Sequence, residues 1–375
     1  MQYRTLGNTG CEISALGFGT MRLPTTDHTP GSPQIDQEET TRLIRYAIDH
    51  GVNYIDTAYN YHGGQSEVSV GKALMDGYRE KTYLATKSPV WRFEKPEDFD
   101  EHLQEQLTKL QTDHVDFYLL HALNRETWEN KVKKLDLISR MKNAKEAGKI
   151  RFMGFSFHDE VSLFKEIVDA AEWDFCQIQY NYINVDYQAG DEGLLYAAEK
   201  GLGVIIMEPL LGGRLAVAPK QVAKILPAGR SAVEWALDYL WDKPQVGLLL
   251  SGMGTMEMVR QNIAFAEKSH TGMVPAEEKP LYAQAKQVFD TMAIVPCTQC
   301  GYCMPCPFGV DIPHVYDAYN KTASLGMKKA RPIYEALAGK ADLCKACGRC
   351  EEHCPQHIRS TERMPEIAKV FAPKE

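Results

Sequence analysis

The sequence predicts an α/β fold: a closed barrel of eight parallel strands ringed by helices, then a small, mostly helical domain rich in cysteine. Three observations predict it. Over the first 265 residues, short β-rich apolar runs alternate with longer amphipathic stretches of helical period. The runs number eight, which is the count that closes a parallel strand–helix barrel. Eight of the ten cysteines then stand in two tight runs near the C-terminus.

The elements follow in order. Tyr3–Ser14, with Asn8-Thr9-Gly10 at its turn, reads as a β-hairpin that plugs the barrel floor. Strands are expected at Ala15–Gly19, Asn53–Thr57, Thr82–Lys87, Val115–His121, Ile150–Ser156, Phe175–Gln179, Gly203–Met207 and Val246–Ser251. Helices are expected between them at Glu38–His50, Ser66–Met75, Pro96–Leu110, Lys131–Ala147, Val161–Ala171, Glu192–Lys200 and Ser231–Trp241, with Thr255–Phe265 after the last strand. Three of these helices run into glycine, at Gly51, Gly148 and Gly201, where a left-handed residue caps a helix end. A doubly wound open sheet is the alternative. It would place a glycine-rich phosphate loop after its first strand, but Gly17-Phe18-Gly19 is followed by Thr20, Met21 and Arg22. Beyond the barrel, Ala276–Met292 reads as an amphipathic connecting helix, and Val315–Asn320 and Pro332–Ala338 as helices between the cysteine runs. The chain divides on this reading into a barrel (1–268), a helical linker (269–292) and a cysteine-rich domain (293–375).

A hydrophobic fraction of 44% and a charged fraction of 25% describe an ordinary globular protein. No stretch approaches the ~18 uninterrupted apolar residues of a membrane span. A net charge of -8 without any long basic block argues against nucleic acid and anionic membrane as partners. The opening MQYRTLGNTG has no apolar core of a secretory leader, so a reducing, cytoplasmic setting is expected. There, clustered thiols signify metal or catalysis rather than disulfides.

The first run is Cys297-Thr-Gln-Cys300-Gly-Tyr-Cys303-Met-Pro-Cys306-Pro; the second is Cys344-Lys-Ala-Cys347-Gly-Arg-Cys350-Glu-Glu-His-Cys354-Pro. Thiolates three apart wrap one iron–sulfur cube, and a further Cys-Pro reaches a second. The second run has the bacterial spacing C-x2-C-x2-C-x3-C-P, and the first is one residue short in its last gap. One intact cluster beside one degraded site is therefore an alternative to two. Zinc is the weaker reading, since it takes four ligands per site and has no use for a trailing Cys-Pro. Isolated Cys11 and Cys176 read as packing residues.

Barrel active sites lie at the C-terminal ends of the strands. The second strand ends in Asp56-Thr-Ala-Tyr59-Asn-Tyr61, the third in Lys87 and the fourth in His121. Singly, each has a structural explanation as a cap or a surface residue; together they form a chemical set. A tyrosine, of pKa about 10, is a poor acid at neutral pH, and a neighbouring ammonium stabilises its phenolate. A buried aspartate holds the ammonium in place, and the histidine orients a carbonyl oxygen or shares the proton. Such a set protonates a carbonyl as hydride arrives, or takes the proton from an alcohol in reverse. Trp91, Phe18, Tyr59 and His158 flank strand ends and are expected to line the mouth.

Here the chain resembles the aldo-keto reductase family, over roughly residues 1–265. The resemblance rests on Gly51-Val-Asn-Tyr-Ile-Asp56-Thr-Ala-Tyr-Asn-Tyr61, Gly71-Lys-Ala-Leu, Ala85-Thr-Lys87-Ser, Asp116-Phe-Tyr-Leu-Leu-His121 and Gly148-Lys-Ile-Arg-Phe-Met-Gly154-Phe-Ser156. It implies Asp56, Tyr61, Lys87 and His121 as a catalytic tetrad, and selects Tyr61 over Tyr59 because the family's tyrosine follows its aspartate by five residues. It also implies a nicotinamide pocket. Ser156 and Gln177 match positions that bind the carboxamide, and Met207 the position where many members stack an aromatic ring. Leu210, Gly212 and Gly213 match the pyrophosphate loop, and Gly252, Met253, Gly254, Thr255 and Asn262 the adenosine-phosphate segment. Three positions depart from the family pattern. Phe157 replaces an asparagine, Met207 carries no ring, and Ser251-Gly-Met-Gly-Thr255 lacks the Lys-Ser that grips a 2′-phosphate. Met258 stands where an arginine often lies, with Arg260 near but not aligned, so the choice of NADPH, NADH or neither remains open.

The C-terminal part resembles a two-cluster ferredoxin with a helical insertion. The usual ligand crossing implies one [4Fe-4S] cube on Cys297, Cys300, Cys303 and Cys354, and another on Cys344, Cys347, Cys350 and Cys306. Three functions fit these parts. The first is an iron–sulfur oxidoreductase that reduces a carbonyl or oxidises an alcohol with a nicotinamide carrier. The second is a flavin-dependent electron-transfer enzyme on the same barrel, since nicotinamide moves electron pairs and a cube moves one. The third is a non-catalytic nucleotide-binding redox sensor. A small carbonyl or alcohol is the expected substrate, and a ferredoxin or similar carrier a candidate partner.

Overall fold

The computed structural model describes residues 1–292 and 295–372, the side chain of Ser324 excepted. Strands β1 (Tyr3–Thr5) and β2 (Glu12–Ser14) pair antiparallel as the expected hairpin, with Tyr3 opposite Ser14. Eight parallel strands follow: β3 (Leu16–Gly19), β4 (Tyr54–Asp56), β5 (Tyr83–Ser88), β6 (Val115–Leu123), β7 (Ile150–Phe157), β8 (Phe175–Gln179), β9 (Gly203–Met207) and β10 (Leu248–Gly252). They close into a barrel through β10, which pairs with β3 on one side and β9 on the other. Each predicted strand is present with its ends shifted by two residues at most. Gly51, Gly148 and Gly201 all take the left-handed conformation at helix ends, with φ of 92°, 71° and 81°.

The hairpin closes the floor through Leu6, fully buried in a cluster with Cys11, Ile13, Phe117, Phe175 and Ile205. Gly203 and Gly247 make room for it, because a Cβ at either would fall on the Leu6 side chain. Cys11 and Cys176 are both buried, as packing residues are. At the opposite end of the strands the β6–β7 ladder is interrupted. Leu120 faces Phe155 but Leu123 faces Phe157, so three residues of β6 span two of β7. Ala122 takes up the extra residue with φ of 54°. Such a bulge re-aims the side chain beside it, here His121.

By packing, the chain forms two compact units: Met1–Pro209 with Ala236–Pro275, and Leu210–Trp235 with Ala276–Glu375. The linear division at 268 and 292 leaves this return of residues 210–235 unseen, and its boundary at 293 falls outside the described residues. Within the second unit, Trp235 stacks on Tyr282 of the helix Lys279–Met292 at 4.0 Å, and Tyr282 Oη donates to the Trp235 carbonyl at 2.9 Å. Arg230 pairs with Glu278 at 3.4 Å. The helices Ile312–Leu325, Met327–Glu335 and Ser360–Phe371 enclose a small core of Val315, Tyr316, Tyr334, Ile367 and Phe371. The first helix read from sequence extends beyond its expected bounds at both ends; the second begins five residues earlier than expected and ends three earlier, with Pro332 inside it. Among the described residues no helix is long and apolar enough to cross a membrane.

Candidate active site and cluster ligands

Asp56 closes β4, Lys87 lies near the end of β5 and His121 at the bulge of β6. Tyr61 opens a short helical turn, Tyr61–Gly64. The next residue, His62, pins this turn: its Nδ1 lies 2.8 Å from the Ser32 carbonyl and its Nε2 accepts from the Leu23 amide at 3.2 Å. Lys87 is fully buried, and its Nζ donates to Asp56 Oδ1 (2.6 Å), to the Thr57 carbonyl (2.8 Å) and to Tyr61 Oη (3.3 Å). These contacts match the three donors of an ammonium. Burial alone lowers the Lys87 pKa and raises that of Asp56, and each charge opposes the shift of the other. At 2.6 Å the two form an ion pair.

The His121 ring meets Tyr61 edge-on at 6.2 Å and Trp91 at 5.2 Å. Burial first, then the charges of Lys87 and His158, push the His121 pKa well below its ordinary value. Its imidazole is therefore neutral at pH 7. Of the residues expected at the mouth, Trp91 and His158 reach His121, while Phe18 is buried within β3. Tyr59 turns elsewhere: its hydroxyl donates to Glu105 at 3.3 Å and Lys109 lies 4.2 Å from its ring.

Behind the tetrad lies a network that sequence reading missed. Glu67, wholly buried, accepts from Thr86 Oγ1 (2.7 Å) and Gln106 Nε2 (2.5 Å). Gln106 Nε2 also reaches the Lys87 carbonyl at 3.0 Å, and its Oε1 accepts from Tyr118 Oη at 2.7 Å. The backbone of Lys87 is thereby fixed along with its side chain, and the Glu67 charge favours the ammonium. The partners lie 12 to 39 residues apart on different elements, beyond the reach of any local motif.

Ser156 and Gln177 face each other across β7 and β8, and Met207 comes beside them from β9. Ser156 Oγ accepts from the Ala122 amide at 2.7 Å, which leaves its own proton to donate. Gln177 Nε2 lies 3.6 Å from Met207 Sδ, while its Oε1 is buried with no hydrogen-bond partner among the described residues. An orphaned acceptor beside a hydroxyl donor suits a carboxamide, so these residues fit a nicotinamide.

Gly252 closes β10 and Met253 and Gly254 follow it, beside Arg22, whose side chain a Cβ at Gly252 would approach to 3.0 Å. Met253 is buried, Thr255 caps the helix Met256–Glu267 by accepting from the Met258 amide at 3.3 Å, and Asn262 donates to Ser251 Oγ at 2.9 Å. Met258 is exposed, and the Arg260 guanidinium sits 5.4 Å over the Tyr46 ring. Leu210, Gly212 and Gly213 belong to the second unit, both glycines with positive φ.

Cys303, Cys306, Cys344, Cys347 and Cys350 line a cavity of about 390 Å³. The charges acting on the Cys303 thiol, after burial, are those of Cys300, Cys297, Cys354 and Cys350. Thiols gathered around a cavity of this size suit a cube of iron and sulfur.

Comparison with known proteins agrees with this geometry. The family model for the aldo/keto reductase family matches residues 15–273. The chain belongs to the aldo/keto reductase family. A second model, of a 4Fe-4S dicluster domain, matches residues 296–358, so this aldo/keto reductase carries an iron–sulfur domain C-terminal to its barrel in sequence. Curated relatives include L-galactose dehydrogenase of Arabidopsis thaliana, 26% identical over 70% of this chain and 88% of that protein. An uncharacterized oxidoreductase of Bacillus subtilis is 26% identical over 76% of this chain and 97% of its own length. Among solved structures, the holo form of an aldo-keto reductase from Bacillus halodurans superposes with a TM-score of 0.64 at 26% identity, covering 76% of this chain and 96% of that one.

Proposed function

We propose that this aldo/keto reductase reduces a small carbonyl compound, or oxidises the corresponding alcohol, with Tyr61 as general acid and base. The observation that carries the reading is the Lys87 ammonium, which touches Asp56 Oδ1 at 2.6 Å and Tyr61 Oη at 3.3 Å from full burial. A bound nicotinamide dinucleotide supplies the hydride, and Ser156 and Gln177 are the residues that would hold its carboxamide. Tyr61 gives its phenolic proton to the carbonyl oxygen, and Lys87 stabilises the phenolate left behind. Asp56 keeps the ammonium charged in a place where burial alone would neutralise it. Neutral His121 donates a hydrogen bond to the carbonyl oxygen and holds it toward Tyr61. Arg260 is engaged with Tyr46 and Met258 offers no charge to a 2′-phosphate, so the reading does not require NADPH over NADH. The comparisons lend a flavin no support, and the reading does without one.

Tyr61→Phe tests it. Turnover with carbonyl substrates falls by about 10²–10⁴-fold, the usual share of a general acid, while the visible absorption of the clusters stays unchanged. Unaltered turnover overturns the assignment. In the cluster domain, [4Fe-4S] groups bound by the eight cysteines supply one-electron transfer, with a carrier of the ferredoxin kind as the fitting partner and a reducing, cytoplasmic setting to match. An anaerobic spectrum before and after NADH or NADPH tests their part: bleaching shows hydride electrons reaching the clusters, and its absence assigns the clusters to structure or to another donor.

A further inference from the structure

The segment Leu210–Trp235 lies between β9 and β10 in sequence but packs with the cluster ligands. It is anchored there by the Trp235–Tyr282 stack and the Arg230–Glu278 pair. Its front end lies against the first cysteine run. Gly212, at φ 64°, rests on the backbone of Thr298, where a Cβ would overlap the Thr298 carbonyl and come within 2.9 Å of its Cα. Thr298 immediately follows Cys297, the first cluster ligand. Two residues beyond Gly212, Arg214 is half-buried, and the opposite charge that acts on its guanidinium is that of Cys297. No carboxylate among the described residues plays that part. An arginine keeps its charge at any physiological pH, so a fixed positive charge stands beside a thiolate ligand in a medium of reduced dielectric.

We propose that Arg214 sets the reduction potential of the cluster held by Cys297, Cys300, Cys303 and Cys354, raising it by placing a permanent positive charge beside the Cys297 sulfur. Reduction adds one electron and one negative charge to a cluster that is already anionic, and cluster potentials follow local charge and exposure. The glycines and the arginine then divide the labour: Gly212 permits the close approach and Arg214 uses it. The proposal rests on the cluster reading of the first cysteine run and is independent of the carbonyl chemistry proposed for Tyr61.

The test is a potentiometric titration of the anaerobic holoprotein, followed by electron paramagnetic resonance, in the parent, Arg214→Met and Arg214→Lys. Iron is measured in each, and about eight atoms per chain are expected for two [4Fe-4S] groups. In Arg214→Met one midpoint potential moves to a more negative value and the other stays in place; Arg214→Lys recovers most of the shift. Unchanged potentials in Arg214→Met, or an equal displacement of both, overturn the proposal. Should Arg214→Met lose iron, Arg214→Gln keeps polar bulk without charge and must show the same one-sided shift. In a Cys347→Ser background, where the signal of the first cluster stands alone, the shift persists if Arg214 acts on that cluster, and its absence there refutes the assignment.

Discussion

The tetrad and the cluster cysteines are both assembled from residues distant in sequence, yet they are held by opposite means. Asp56, Lys87 and His121 sit on strands of a closed ladder, almost wholly buried, with Lys87 fixed at its side chain and its carbonyl alike. The eight cluster cysteines sit on turns and short helices; seven are half-buried and Cys347 is exposed. Around them lies a core that is small and directly packed against the thiols themselves. The barrel site is thus organised by the fold before any ligand arrives, whereas the cluster unit owes part of its order to the metal it binds.

The sharpest way to break the comparison is Lys87→Met. It leaves the Asp56 carboxylate buried without its partner, at a cost of about 3–5 kcal/mol in stability, and it abolishes carbonyl turnover. Combining it with Asp56→Asn restores much of the stability and none of the turnover, as urea denaturation and a rate assay would show. Iron chelation probes the other side. Hydrogen exchange on the apoprotein should show lost amide protection across residues 297–371 and retained protection in β3–β10. Equal loss in both would mean that the barrel leans on the clusters too. Gly203→Ala tests how tightly the floor is plugged: a methyl group driven into Leu6 costs about 1–3 kcal/mol of overpacking, read as a lower midpoint in denaturant.

The smallest effect is a pH dependence. His121 and His62 have folded pKa values below the ordinary 6.5, both chiefly through burial. The unfolded chain therefore binds protons first. The stability contributed by these groups is fully present above pH 6.5 and is lost as the pH falls below it, with a slope of at most about 1.4 kcal/mol per pH unit for each group. His121→Gln should flatten this slope, while turnover in the parent shows no inflection near pH 6.5 from His121.

Much of the barrel was legible because each strand is a bounded apolar run and three of the helices end at a glycine, Gly51, Gly148 and Gly201. The tetrad was legible as residue types at strand ends, but the choice of Tyr61 over Tyr59 needed family resemblance, since nothing local says that Glu105 draws Tyr59 away. The bulge at Ala122 was hidden because alanine gives no sign of a positive φ. The helix Ser360–Phe371 has its apolar stripe in plain view, at Met364, Ile367, Ala368 and Phe371, but Pro365 inside it argues for a break. The Glu67–Gln106 network and the position of Arg214 depend on contacts between distant segments, which a single sequence does not encode locally.

The return of residues 210–235 to the C-terminal unit has a consequence for how such a protein can arise and be taken apart. All ten strands are complete by residue 252, yet a chain ending at 275 would carry Trp235 and Gly212 without Tyr282 and Thr298, the groups they pack on. One cut frees neither unit whole. Transplanting the cluster domain to another barrel therefore means moving two stretches of sequence together, the tail and the loop between the last two strands, and a lineage that gained the first without rewriting the second would have gained it loosely.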